Sequence, residues 1–160
     1  MLDMPFLDGI RVIRSNIHGY GGLTTRTFAK GDILCHGDGV VYPDDVEFDD
    51  TYALVLQPED SGLATPMFFD LVCQTRWFNH SCDPNTEVML EWNRETETMT
   101  AWWVALRDIP IGVEVTYDYA FAAEVAEACF CGAPTCRGVI VDPDPENLAR
   151  LSEPLRAQLR

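Results

Sequence analysis

Residues 76–86, RWFNHSCDPNT, bring a guanidinium, two aromatic rings, an amide, an imidazole and a thiol into one short run. Asp83, Pro84 and Asn85 are typical of turns, so the run does not continue as a regular strand. Asn79, His80 and Cys82 therefore lie almost side by side. This concentration of reactive and ligating side chains indicates a functional site, whose other parts have to come from elsewhere in the chain.

A second group of thiols lies near the carboxyl end, in the stretch CFCGAPTC, and consists of Cys129, Cys131 and Cys136. A closed structural zinc site needs four tetrahedral ligands, so this group is one short, and Cys82 is available as the fourth. Ordinary buried thiols or a disulfide are the alternatives, but C-x-C spacing strains a local bridge, and Gly132 and Pro134 suit a tight metal-binding turn. Zinc is favoured, and it requires residue 82 to lie beside residue 130.

Composition limits the classes of function. The chain of 160 residues is 47% hydrophobic, which suits one domain with a single core. No apolar run approaches the ~20 residues of a membrane span, and the start MLDMPFLDG lacks the features of a signal peptide, so we expect a soluble, intracellular protein without membrane contact.

The net charge of −15 would repel a phosphate backbone and argues against direct nucleic-acid binding. A basic peptide is the partner that this charge favours, although a solvated acidic surface is as good an explanation of the charge alone.

The hydrophobic pattern predicts a mainly β protein. Short apolar runs separated by turn residues are read as strands: GIRVIR, DILCHGDGVVY, YALVLQ, MFFDLV, TEVMLEW, TAWWVALRDI and VEVTYDY. The polar run NRETET predicts a hairpin tip between residues 92 and 99, and the neighbouring tryptophans are predicted to pack in the sheet. Helical periodicity is confined to FAAEVAEA at residues 121–128 and to the last residues, where Asp144 can cap a helix and Pro154 would interrupt or restart it.

Two further stretches contain residues that suit a site. In EVTYDYAF, residues 114–121, Tyr117 and Tyr119 are two apart on a predicted strand, so both phenols face one side and Asp118 faces the other. Paired tyrosines alone are more often sheet packing, but these precede the cysteine cluster closely. The stretch SNIHGYGG places Gly19, Gly21 and Gly22 in one loop, which taken alone a simple turn explains better than a ligand does.

Together these residues resemble the SET domain of protein-lysine methyltransferases. SNIHGYGG resembles the family's cofactor loop, RWFNHSCDPN its Asn-His-Ser-Cys signature, ALRDIPIGVEVTYDY its catalytic strand and CFCGAPTCRG its post-SET zinc element, in the family's order. The resemblance implies small curved β-sheets with a C-terminal pseudoknot, short helices and a zinc-bound post-SET segment. It divides the chain into a SET domain at 8–121, a post-SET segment at 122–141 and a helical tail at 142–160.

The resemblance also implies the site residues. Those expected to hold S-adenosylmethionine are His18, Gly19, Tyr20, Gly21, Arg76, Asn79, His80 and Phe130. Tyr119 is expected to orient the methyl donor, and Tyr117 to occupy the position that sets how many methyl groups are added, with a hint of mono- or dimethylation. Tyr52 is expected to form a wall of the lysine channel, with core packing as its alternative. The structural Zn²⁺ would be held by Cys82, Cys129, Cys131 and Cys136.

The resemblance finally implies a function in chromatin. The expected reaction is methyl transfer from S-adenosylmethionine to a lysine of a basic peptide, a histone tail first, which would place the protein in the nucleus if it is eukaryotic. The alternative is a non-catalytic interaction module that keeps the fold and the zinc for stability.

Overall fold

The computed structural model describes residues 7–160. The amino-terminal stretch on which the expectation about targeting rests lies mostly outside these residues. In the described part, no helix has the length and apolarity needed to cross a membrane. The strands are β1 (Ile10–Arg14), β2 (Tyr20–Thr24), β3 (Ile33–Gly37), β4 (Gly39–Pro43), β5 (Ala53–Leu56), β6 (Met67–Leu71), β7 (Asn79–His80), β8 (Thr86–Asn93), β9 (Thr98–Ala105), β10 (Glu114–Tyr117), β11 (Glu127–Ala128) and β12 (Val139–Ile140). The helices are α1 (Pro58–Ser61), α2 (Pro145–Ala149) and α3 (Glu153–Arg156).

The strands form four small sheets, which confirms the mainly β prediction. One sheet has the order β1-β2-β10-β7, two have three strands each (β3-β9-β8 and β4-β6-β5), and β11 pairs with β12. The run DILCHGDGVVY, predicted as one strand, is two strands in different sheets, because the chain changes direction at Asp38. Asp38 is held in the turn by its backbone N–H, which donates to Sγ of Cys73 at 3.2 Å.

The predicted hairpin is confirmed. Strands β8 and β9 pair in register from Thr86 opposite Ala105 to Asn93 opposite Thr98, and NRETET supplies the turn. The Asn93 side-chain oxygen accepts from the N–H groups of Glu95 and Thr96, which holds the tip closed. Trp103 on β9 is fully buried and packs edge-on against Phe78, at 5.4 Å between ring centroids, in the centre of the main core.

A short parallel pairing joins the quoted stretch to the tyrosine strand. Strand β7 pairs with β10 through Asn79 opposite Thr116 and His80 opposite Tyr117. Beyond β7, the Asn85 side chain continues the pairing: its oxygen accepts from the Thr116 N–H at 2.9 Å and its amide donates to the Glu114 carbonyl at 2.8 Å. The contact that the predicted pseudoknot requires between these two segments is therefore present.

The prediction of a helix at residues 121–128 is wrong. This stretch contains only one 3-10 turn at Ala123–Val125 and then strand β11. The apolar side chains face different neighbours: Ala123 is buried in the C-terminal part of the chain, whereas Val125 is 60% exposed. The helical prediction for the last residues is confirmed: Asp144 accepts from the Glu146 and Asn147 N–H groups at the start of α2, and Pro154 lies in the first turn of a new helix, α3.

Candidate active site and metal centre

Asn79 ties three distant segments together. Its Nδ2 donates to the carbonyl oxygens of His18 and Tyr20 at 3.0 and 2.8 Å, and lies 3.0 Å from Oγ of Ser15 and 2.9 Å from Oε1 of Glu114. The side chain is 7% exposed, so these contacts replace water. Asn79 thereby fixes the position of the SNIHGYGG turn relative to strands β7 and β10.

His80 is a buried neutral imidazole. Its Nδ1 accepts a hydrogen bond from the Tyr119 N–H at 3.1 Å, so the ring carries its proton on Nε2, which faces Sγ of Cys82 at 3.3 Å. Burial lowers the pKa of His80 to about 4, against the attraction of the nearby Asp118. The ring therefore connects the backbone of Tyr119 to the Cys82 thiol.

Tyr117 and Tyr119 pack against each other with ring centroids 4.9 Å apart, on the same side of the chain as predicted. The Tyr119 hydroxyl donates to the Phe78 carbonyl at 2.7 Å. Burial raises the pKa of both phenols well above the ordinary value, and Glu127 adds to the effect at Tyr119. Both phenols therefore stay protonated at neutral pH.

A cavity of about 300 Å³ lies in front of Tyr119. It is lined by Ile17, His18, Asn79, His80, Tyr119, Glu127, Ala128, Cys129, Phe130, Cys131 and Ile140. Of the residues predicted to hold a cofactor, the lining includes His18, Asn79, His80 and Phe130. Phe130 is 84% exposed, so its ring stands at the rim and is not buried by any of residues 7–160.

The other residues predicted to hold the cofactor or to line the lysine channel lie outside this lining. Gly21 and Tyr20 belong to strand β2 rather than to a loop, and a side chain at Gly21 would overlap the carboxylate of Glu114. The Arg76 guanidinium lies over the rings of Tyr52 and Trp77, at 4.3 and 5.0 Å from their centroids. Gly19 forms the turn before β2 with φ of +49°.

The cysteines that the sequence separates converge beside the cavity. Sγ of Cys82 lies 3.7 Å from Sγ of Cys129, and the Cys82 N–H donates to Sγ of Cys131 at 3.5 Å. One ligand atom each from His80, Cys82, Cys129 and Cys131 lies within 4.8 Å of the others. Cys136 adjoins this group: its thiol is 3.9 Å from the Cys129 carbonyl and accepts from the Gly138 N–H at 3.4 Å.

The electrostatics of the thiols suit a metal ion. Burial raises the pKa of Cys131, but hydrogen bonds from the Cys82 and Ala133 N–H groups and the neighbouring thiols of Cys129 and Cys136 outweigh it and bring the pKa down to about 7. Burial keeps the pKa of Cys82 and Cys129 raised. A divalent cation would deprotonate such a group outright, and a sulfur-rich donor set selects zinc among the common ions.

The sequence did not identify the residues that hydrogen-bond to the site residues without lining the cavity. Arg137 donates from Nη2 to Oδ1 of Asp118 at 2.8 Å, and its N–H donates to Sγ of Cys82 at 3.4 Å. The Ser15 hydroxyl donates to Glu114 at 2.7 Å. The available signals were the positions of Arg137 directly after Cys136 and of Asp118 directly before Tyr119. The sequence does not show that these two side chains pair, because the pairing depends on the fold.

The family model of the SET domain matches residues 19–120, which include the Asn79–His80 strand and both tyrosines. The chain belongs to the SET-domain family. The matched range contains the parallel contact of β7 with β10, whereas Cys129 and Cys131 of the cysteine cluster lie beyond its end.

Several SET-domain relatives are histone-lysine methyltransferases. Human histone-lysine N-methyltransferase 2B is 32% identical over 143 residues, which cover 81% of this chain and 5% of the relative. Histone-lysine N-methyltransferase set1 of Dictyostelium discoideum is 30% identical over 138 residues, which cover 80% of this chain and 9% of the relative. ASHH4 of Arabidopsis thaliana is 29% identical, and the aligned part spans 38% of it. The chain thus spans well under half the length of these relatives.

A solved structure with a similar fold is the crystal structure of KRYPTONITE in complex with mCHH DNA, an H3(1–15) peptide and SAH. The TM-score is 0.65 and the sequences are 25% identical, over 82% of this SET-domain chain and 29% of that chain. The shared fold confirms the predicted architecture.

Proposed function

We propose that the chain is the catalytic part of a protein-lysine N-methyltransferase that uses S-adenosylmethionine and modifies a histone tail or another basic peptide. The observation that carries this proposal is the cavity in front of Tyr119, lined by His18, Asn79, His80 and Phe130, within a SET fold. Its volume of about 300 Å³ lies at the lower end of the range of small-molecule sites. The relatives' activity on histones and the SAH in the KRYPTONITE complex support the same assignment.

We assign residues 8–121 to the SET domain, 122–141 to the post-SET segment and 142–160 to a helical tail. His18, Asn79 and His80 would face the cofactor, with Phe130 at the rim free to close on its adenine, while Gly19, Tyr20 and Gly21 would act through the backbone of the turn and strand. Arg76 would support Tyr52 at the lysine channel, because its guanidinium covers that ring.

The reaction places specific demands on the chain. When bound, S-adenosylmethionine supplies a methyl group on a positively charged sulfur. In such a transfer the lysine ammonium would first lose a proton to solvent, and the Nζ lone pair would then form the N–C bond while the S–C bond breaks and its electron pair stays on sulfur. Removing that proton near pH 7 costs about 5 kcal/mol from a pKa of about 10.4, so the site must desolvate the amine and align it.

Tyr119 is suited to orientation rather than to proton abstraction. Its hydroxyl proton is engaged by the Phe78 carbonyl, and its pKa is raised by burial, so the phenol is a poor base at neutral pH. The remaining lone pair of the oxygen can accept weak C–H···O contacts from a methyl group. Tyr117, deeper in the core at 8% exposure, would limit the space for added methyl groups.

The four thiols of Cys82, Cys129, Cys131 and Cys136 would hold a structural Zn²⁺. His80 is not a fourth ligand in this assignment, because a neutral imidazole whose Nδ1 accepts from the Tyr119 N–H keeps a proton on Nε2. That N–H would instead donate to the Cys82 thiolate and orient it.

Transfer of a labelled methyl group to histones and other basic proteins tests the function. Tyr119→Phe should lower kcat by about 10²-fold or more, as for loss of one preorganised polar group, and leave SAH affinity nearly unchanged. Tyr42→Phe is the matched control, since this ring stacks on Phe48 at 4.1 Å in another sheet. Tight SAH binding without transfer to any protein would establish the non-catalytic module instead, and full activity of Tyr119→Phe would remove Tyr119 from the mechanism.

A further inference from the structure

The C-terminal segment, residues 142–160, packs on the part of the chain that carries the cysteines. Its Leu151 is buried together with Ala123, Val139 and Val141 in a second apolar cluster, separate from the main core. Leu148, Leu155 and Leu159 pack around them. We propose that the C-terminal segment is a positioning element of the cofactor site, which rests on the proposed function only for the identity of the ligand.

Strand β12 connects this cluster to the cavity. Val139 is fully buried against the C-terminal segment, and the next residue, Ile140, lines the cavity. Strand β12 pairs with β11, where Glu127 and Ala128 line the same cavity. The two-stranded sheet is therefore the cavity wall on one side, and the C-terminal segment supports its other side.

Asn147 fixes the segment to the chain that follows the tyrosines. Its side-chain oxygen accepts from the Ala123 N–H at 2.9 Å, and its amide donates to the carbonyls of Phe121 at 3.2 Å and Asp142 at 2.9 Å. Asn147 is only 7% exposed, so water would not readily replace these hydrogen bonds if they were lost. Asn147 therefore sets where the C-terminal segment begins relative to Tyr119.

The end of the segment lies against the turn after Cys136. The Arg160 N–H donates to the Arg137 carbonyl at 3.0 Å, and Gly138 approaches so closely that a Cβ there would overlap the Gln158 carbonyl oxygen. Arg137 and Gly138 also donate their N–H groups to the thiols of Cys82 and Cys136. The same contact thus supports the metal cluster and the cavity wall.

Gly138→Ala tests the contact directly, because its methyl group must displace the backbone at Gln158. Gly138 has φ of +80°, so the substitution also strains the turn itself. Gly132→Ala is the matched control: Gly132 lies in the same cysteine segment with φ of +77°, and a Cβ there meets no atom of the described residues within 4 Å. Titration with SAH should show the dissociation constant raised by about tenfold or more in Gly138→Ala and changed much less in Gly132→Ala. Equal effects of the two substitutions would overturn the proposal.

A second pair of variants uses a measurement that needs no ligand. Leu151→Ala opens the second cluster from the side away from the cavity, and Leu106→Ala makes the same change at a site that is 39% exposed. Hydrogen exchange at residues 127–128 and 139–140 should accelerate in Leu151→Ala only, with exchange in the β8–β9 hairpin unchanged. Uniform acceleration in both regions, or none, would overturn the proposal.

The two readouts separate this inference from the proposed function. If the unmodified protein binds no SAH, the proposed function fails, while hydrogen exchange still decides whether the C-terminal segment holds β11 and β12. If the protein binds SAH and Gly138→Ala binds it as tightly as Gly132→Ala does, the positioning role fails and the function stands.

Discussion

Asn79 shows what a sequence motif says about a residue and what it leaves out. The motif placed Asn79 beside a ligand, and the residue does line the cavity. The motif does not show that the amide of Asn79 is already engaged with Ser15, Glu114 and two carbonyls from a turn some sixty residues earlier. Those partners depend on the pairing of β2, β10 and β7, which no local pattern encodes.

Replacing Asn79 with aspartate should therefore destabilise the fold. The substitution keeps the shape but removes the donor, and it sets a carboxylate against Glu114 and two carbonyl oxygens in a buried place. We expect the free energy of unfolding to fall by about 3 kcal/mol, measured by urea denaturation. Asn93→Asp is the control, because the oxygen at Asn93 only accepts hydrogen bonds and aspartate keeps that role. Equal unfolding midpoints for the two variants would contradict the described geometry.

The paired tyrosines make a prediction about alkaline pH. The folded-state pKa of Tyr117 and Tyr119 lies above the ordinary value of about 10, so the stability that these groups contribute is present below pH 10 and is lost as the pH rises further. In an absorbance titration of the native protein to pH 10.5, the double variant with phenylalanine at both positions should give the same phenolate amplitude as the parent. A smaller amplitude in the double variant would show that these phenols ionise in the folded protein.

At the scale of elements, the sequence predicted regular strands and missed the shortest ones. The alternation in TEVMLEW and TAWWVALRDI repeats over enough residues to identify β8 and β9. Strands β7, β11 and β12 have only two residues each, too few for any period. The helix predicted at residues 121–128 failed for a related reason, because alanine-rich spacing favours a helix only when no tertiary pairing competes, and here β12 pairs with Glu127 and Ala128.

The metal cluster should behave as one element with β11 and β12. Chelation of the proposed zinc should raise hydrogen exchange at residues 127–141 and weaken SAH binding, while the β8–β9 hairpin stays protected. Chelator saturated with zinc beforehand is the control. Cys136→Ser should lower the metal content, whereas His80→Gln should retain it, since the imidazole is assigned as a donor to Cys82. If the His80 variant loses the metal and the Cys136 variant keeps it, His80 is the fourth metal ligand and Cys136 is not.

At the scale of the whole molecule, the net charge predicts that binding of a basic peptide depends on salt concentration. A net charge of −15 attracts a basic peptide over distances comparable with the screening length, which shrinks from about 10 Å at 0.1 M salt to about 3 Å at 1 M. We expect KM for a peptide with basic residues flanking the target lysine to rise with salt. The same peptide with neutral flanking residues should show a much flatter dependence. Parallel salt dependences would mean that the charge serves solubility alone.

Composition and motif order were enough to predict the fold class and the convergence of the four distant segments at one cavity. They were not enough to predict how the last residues of the described chain are used. Nothing in PENLARLSEPLRAQLR distinguishes a helix that docks on its own domain from one that pairs with another molecule. The docking is decided by surface elsewhere, at Ala123, Val139 and Val141, and by a glycine at residue 138 that lets the two backbones meet.

The parallel contact between β7 and β10, followed by β11 and β12, has a consequence for synthesis on the ribosome. The chain has to emerge past Tyr119 before Asn79 finds its strand partner, and past Ile140 before the cavity gains its last wall. A nascent polypeptide stalled in between would hold most of the core yet lack the complete cavity. Completion of the cavity is thus timed by translation of residues 114–140.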